Sequence, residues 1–100
     1  MVIYLVAINK GHQRHDYSAM FDELRTFGRT LHLFRDVWLV STEQLPSTVG
    51  ECLNRFLVKD GYIDDYILVA KFRPDYSGVL PKYAEEWWET ERIAGTLRWD

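Results

Sequence analysis

The chain has a single cysteine, Cys52. One thiol cannot close an intramolecular bridge, and small secreted frameworks carry even sets of cysteines, so a reducing, cytoplasmic setting is expected. Long apolar runs are also missing. The N-terminal run Val2 to Ile8 is too short to span a bilayer and has no basic residues ahead of it. It reads as neither signal peptide nor anchor, is expected to stay in the mature protein, and implies no membrane partner. There is no excess of positive charge: 12 Lys+Arg stand against 15 Asp+Glu, a formal charge of -3. That balance removes the global basic field of a strong nonspecific nucleic-acid binder but leaves room for a local patch. No G-x-S-x-G, phosphate-binding glycine loop, dinucleotide fingerprint, internal repeat or low-complexity linker occurs, so conventional enzyme signatures are absent.

What the chain does have is core material. A hydrophobic fraction of 47%, with 15% aromatics, excludes intrinsic disorder and makes a disulfide or metal staple unnecessary. A length of 100 residues predicts one domain over 1–100, with 1–75 as the core and 76–100 as a C-terminal loop and helix. Val2 to Ile8, rich in β-branched residues, predicts a central first strand. After the polar stretch Asn9 to His15, Asp16 is the N-cap of a helix whose apolar side is Tyr17, Met20, Phe21, Leu24 and Phe27, with Gly28 as its left-handed C-terminal residue. Thr30 to Phe34 and Val37 to Ser41 have hairpin spacing about Arg35-Asp36, with the second, more apolar arm inward. A second helix follows Leu45-Pro46, with Thr48 and Glu51 in capping-box spacing and Val49, Cys52, Leu53, Phe56 and Leu57 as its apolar stripe, ended by Lys59-Asp60-Gly61. Asp65 to Phe72 is the fourth strand, broken by Arg73-Pro74-Asp75, and Lys82 to Ile93 is a last helix.

This order predicts an α+β fold, a ferredoxin-like split βαβ sandwich (βαββαβ) with an extra C-terminal helix and with the first and third strands central. Two helices cover one face of such a sheet. The other face is apolar and would be bare in a monomer, which implies dimerisation or cover from the last helix.

Candidate chemistry concentrates in the loop after the first strand. Lys10, His12, Arg14 and His15 lie beside a helix N-terminus, and both features favour phosphate, so these four are the candidate nucleic-acid contacts. The bland alternative is a solvated loop. His12, His15 and Asp16 lack the second ligand pair a zinc site needs, and no metal ligand is assigned. Asp64-Asp65 reads as a solvated strand flank, and Glu85, Glu86, Glu89 and Glu91 as the exposed side of the last helix. Cys52 reads as a small core residue. Trp87 and Trp88 diverge by about 100° on a helix, so one is expected to dock on its own sheet while the other reaches a partner subunit or stays half exposed; both are carried as candidate dimer or partner contacts.

The segments Ile3 to Lys10 (I-Y-L-V-A-I-N-K), Asp16 to Gly28 (D-Y-S-A-M-F-D-E-L-R-T-F-G), Leu31 to Thr42 (L-H-L-F-R-D-V-W-L-V-S-T) and Tyr66 to Phe72 (Y-I-L-V-A-K-F) resemble the SinR family. These are small stand-alone relatives of the CRISPR-associated endoribonuclease-like adaptation subunit. The resemblance spans roughly residues 1 to 75 and implies a ferredoxin-like fold, a homodimer joined through sheet faces, and a paired site at the ends of the two first strands. In that family an aspartate at the end of the first strand is the proposed ligand of a divalent ion that activates water on a phosphodiester. Here the matching position is Asn9, whose neutral amide binds Mg2+ less well than a carboxylate.

The reading that follows is a non-catalytic homodimer binding RNA or DNA, or a protein partner, in a defence or toxin-antitoxin setting, with no cofactor. The alternative is a metal-dependent endonuclease, with Mg2+ or Mn2+ held by Asn9 and an acid such as Asp16 or Asp36 from across the dimer. A structural subunit of a larger complex is a third possibility.

Overall fold

Strand β1 (Val2–Asn9) is the axis of the fold, because its apolar run lets both faces and both edges be covered. The computed structural model of the protein describes residues 2–11, 15–60, 63–73 and 78–93. In it β1 is followed by α1 (Ser18–Thr26), β2 (Arg29–Phe34), β3 (Val37–Thr42) and α2 (Pro46–Asn54). Two short strands, β4 (Lys59–Asp60) and β5 (Ile63–Asp64), then lead to β6 (Tyr66–Lys71) and finally α3 (Lys82–Ile93). Four strands form one antiparallel sheet in the order β2-β3-β1-β6, an α+β architecture, while β4 and β5 pair only with each other. The interior positions fall to β1 and β3, the two strands with the most buried residues.

Side-chain alternation along β1 builds two cores. Tyr4, Val6 and Ile8 point to the side covered by α1 and α2, where they meet Met20, Leu24, Trp38, Val40, Val49 and Leu53. Ile3 points to the other side and packs with Leu33, Leu39 and Ala84 of α3. The last helix therefore covers part of the second face, with Trp87 and Leu80 at its margin.

Several boundaries differ from those read in the sequence. Helix α1 starts at Ser18, so the cap position is Tyr17 and not Asp16. Asp16 instead accepts the Ser18 N–H at 2.9 Å in a local turn. Helix α2 starts with Pro46 at its first turn and no side-chain cap, so Thr48 already lies inside the helix and the capping box does not form. It ends at Asn54; Phe56 and Leu57 pack on the core from beyond the helix, and Lys59-Asp60 enters the β4 ladder instead of ending it. Pro74 and Asp75, which were to break the fourth strand, lie outside the described residues.

Gly28 is not the αL terminus of α1; it sits at φ +158, a positive value that L side chains rarely adopt, where the chain enters β2. A Cβ there would run into the Ser41 carbonyl oxygen of β3. The β2–β3 turn takes its positive φ at Arg35 (φ 45), a residue type that adopts it at some cost, and the register shifts between His32 and Phe34. We expect Gly28→Ala to cost about 2–4 kcal/mol in urea unfolding, since both backbone conformation and strand approach must give.

The Tyr4 hydroxyl donates to the Gln44 carbonyl at 2.9 Å, and burial raises the phenol above its ordinary value of about 10. The folded state favours the neutral form. Its contribution is therefore complete below pH ~10 and is lost as pH rises through the raised value. Tyr4→Phe should flatten the alkaline limb of a stability–pH curve while costing about 1 kcal/mol at neutral pH.

Candidate functional site

The loop that leaves β1 is held by a carboxylate that the sequence reading placed at the surface. Asp65 is 1% exposed, directly ahead of β6. One of its oxygens accepts the Gly11 N–H at 2.7 Å and the Tyr17 hydroxyl at 2.8 Å, and the other accepts the Val58 N–H at 2.8 Å. A buried carboxylate survives only when donors replace its lost water, and these three do so from three separate segments. The solvated-flank reading of Asp65 is thus corrected: strand pairing of β1 with β6 brings the Asp65 backbone beside Gly11, and the carboxylate turns inward. The side chain of Asp64 lies outside the described residues.

Around this tether an open cleft of about 520 Å³ is lined by Lys10, His15, Asp16, Tyr17, Phe21 and Asp36, with Ser18 at its edge. Lys10 Nζ sits 2.9 Å from Asp36 and within 5.7 Å of the Tyr17 and Phe21 ring centroids. Asp36 is itself placed by its carbonyl, which accepts the Ile8 N–H at 2.9 Å. His15 is exposed and meets the Tyr17 ring edge-on at 4.7 Å. The Ser18 backbone N–H, with its hydroxyl and His15 nearby, holds the Asp16 carboxyl below its ordinary range. The cleft therefore presents two carboxylates to one already paired lysine, and Asp16 occupies the helix N-terminus that a phosphate would use.

Of the four candidate nucleic-acid contacts, the structure brings Lys10 and His15 into this cleft; His12 and Arg14 lie outside the described residues. Asn9 goes elsewhere. Alternation along β1 sends it to the opposite side of the sheet from Lys10, into an apolar hollow of about 290 Å³ with Ala7, Val37, Tyr66 and Leu68. Asn9 thus shares no surface with Asp16 or Asp36 of its own chain. Among the described residues no group of three or more His, Cys, Asp or Glu side chains is arranged to hold a metal ion. No described helix is long and apolar enough to cross a membrane.

Trp87 packs against the second core on its own sheet, and the side chain of Trp88 lies outside the described residues. Glu85, Glu86 and Glu89 are exposed, as read; the side chain of Glu91 lies outside the described residues. Cys52 is free and half-buried on α2.

On the sheet face opposite α1 and α2, the cover by α3 stops short. The register aligns Phe34, Val37, Ala7 and Leu68 in one row across all four strands, with Val37 packed at the margin of the core under α3. Phe34 is 47% exposed, Leu68 60% and the adjoining Tyr66 61%. The sequence signal for this row was the apolar alternation of the strands; how far the last helix would reach over it was not readable.

A scan against family models finds no match to the chain, and comparisons with curated proteins and with solved structures likewise find none.

Replacing Asp65 by Ala should cost at least about 3 kcal/mol in urea unfolding, because three donors are left in or near the core without an acceptor. Asp65→Asn, which keeps acceptor capacity at one oxygen, should cost less. Amide exchange at Gly11 and Val58 should accelerate in both variants ahead of the global transition.

Proposed function

We infer that the protein is a non-catalytic binding module that works as a homodimer, with the ferredoxin-like strand order of the SinR-type proteins its sequence resembles. The observation that carries this reading is the apolar row Phe34, Val37, Ala7 and Leu68, whose two ends, Phe34 and Leu68, stand exposed beside α3 with Tyr66 next to them. Two interior strands, β3 and β1, flanked by β2 and β6 support the ferredoxin-like order. A second copy is the occupant favoured by charge. Each chain carries a formal charge of -3, so self-association needs a contact without like charges, and the row with Tyr66 and Ala70 beside it is neutral. Isologous packing of one such row on another is the simplest closed arrangement of a flat apolar face.

The endonuclease alternative gains nothing from the geometry. Asn9 stands on the sheet side opposite Asp16 and Asp36 of its own chain, and in the open cleft that holds those acids Asp36 is already paired with Lys10. Phosphate binding in that cleft is opposed by the same two carboxylates.

Sedimentation velocity over a concentration series should show a dimer, and Leu68→Asp should weaken it by at least about 30-fold, the loss expected for a central interface residue. Leu68 is exposed in the monomer, so the variant should keep its fold by circular dichroism. A wild-type chain that stays monomeric at high concentration would sink the reading. Cleavage of RNA or DNA with Mg2+ or Mn2+, lost on Asn9→Ala, would restore the endonuclease alternative.

A further inference from the structure

A line of stacked rings crosses the helix-covered side of the sheet and ends at its β2 edge. Phe21 of α1 stacks on Trp38 of β3 with ring centroids 5.3 Å apart and planes 25° apart. His32 of β2 stacks on the same indole at 4.5 Å and 12°. Trp38 is buried, whereas His32, on an edge strand, is exposed. The imidazole is held twice, by the indole beneath it and by its Nε2–H, which donates to the Arg35 carbonyl. Among the described residues no second ring lies on its outer side. The result is a flat, orientationally fixed π surface facing solvent.

Two cations flank it. Arg35 stands exposed in the turn that accepts the His32 bond, and the Arg25 guanidinium lies 5.3 Å from the Trp38 ring centroid with more than half of its side chain exposed. The nearby carboxylates are each engaged. Asp22 meets Arg25 at 3.1 Å in an exposed pair of the kind water screens heavily, Glu23 meets Arg55 at 3.0 Å, and Asp36 meets Lys10 at 2.9 Å. A phosphate can replace Asp22 on Arg25 at little cost, since it offers the guanidinium a stronger acceptor pair. Arg29 does not belong to this patch, because alternation along β2 turns it to the opposite side of the sheet from His32.

We propose that this β2 edge is a contact for single-stranded nucleic acid, with an unpaired base stacking on the outer face of His32 and the adjoining phosphates meeting Arg25 and Arg35. An aromatic platform beside cations is the arrangement that recognises unpaired strands, and a base inside a duplex has no free face to offer it. The inference rests on the binding-module reading in taking the chain to act by binding, but it does not require the dimer. It also moves the nucleic-acid contact from the loop after β1, where the carboxylates oppose it, to the β2 edge of the sheet.

The test is fluorescence anisotropy of labelled oligouridine and oligothymidine against the full chain at about 50 and 200 mM salt, with duplex DNA as comparison. Binding should favour the single strands and weaken with salt, with Arg25→Gln and Arg35→Gln each lowering the log–log salt slope by about 0.7. His32→Ala should weaken binding at least about 5-fold, the effect of losing one stacked base. His32→Phe, which keeps a ring but not the bond to Arg35, should restore it to within about twofold of wild type. No single-strand binding at the lower salt would overturn the proposal, while a dimer seen by sedimentation would leave the binding-module reading standing. Binding that is unchanged in His32→Ala but lost in Lys10→Ala would overturn it too, returning the contact to the β1–α1 loop.

Discussion

The carboxylate of Asp65 is the constraint on which the geometry of the β1 end depends. Its two oxygens gather the Gly11 backbone from the β1–α1 loop, the Tyr17 hydroxyl from the start of α1, and the Val58 backbone from the segment after α2. The Asp65 backbone adds to the tie, its N–H donating to the Val58 carbonyl at 2.8 Å. These hydrogen bonds make the arrangement directional in a way apolar packing is not, since each tolerates only a narrow range of donor positions. Through it, the entry to α1, the Lys10–Asp36 pair and the start of β6 are held in one relation.

Around that tether the sheet divides the molecule into unlike surfaces. The side under α1 and α2 is sealed by a continuous core and ends at the β2 edge in a stacked imidazole with arginines beside it. The opposite side carries a smaller core under α3 and then an uncovered neutral row. These are different chemistries: one offers π surface with arginines beside it, the other only apolar area. The chain is net negative, but several of its acids lie on α3 or pair with Lys10 and Arg55, and the one beside the stacked imidazole, Asp22, is held in an exposed pair with Arg25.

Much of the fold was legible along the chain. The apolar runs Val2 to Ile8 and Val37 to Ser41 marked the interior strands, and Tyr17, Met20 and Leu24 marked the buried side of α1. Helix α3 was read with its observed bounds. The errors cluster at ends. Asp16 looked like a cap and Thr48–Glu51 like a capping box, yet the helices start where tertiary packing lets them, at Ser18 and Pro46. Gly28 looked like a helix terminus, whereas it is glycine because β3 passes too close for any side chain. Of the candidate site residues, Lys10 and His15 share a surface and Asn9 leaves by the other side of the sheet, while neither Asp65 nor His32 carried a signal that set it apart from other polar residues in strands and turns.

What the amino-acid sequence determined alone was the set and order of the main elements and which of their sides are apolar, because those follow from periodicity over neighbouring residues. Only the tertiary structure decided which polar groups meet. Asp65 finds Gly11 across 54 positions, and His32 finds Trp38 across a hairpin whose bulge shifts the register. Such encounters depend on strand pairing between distant segments, and no local pattern in the chain encodes that.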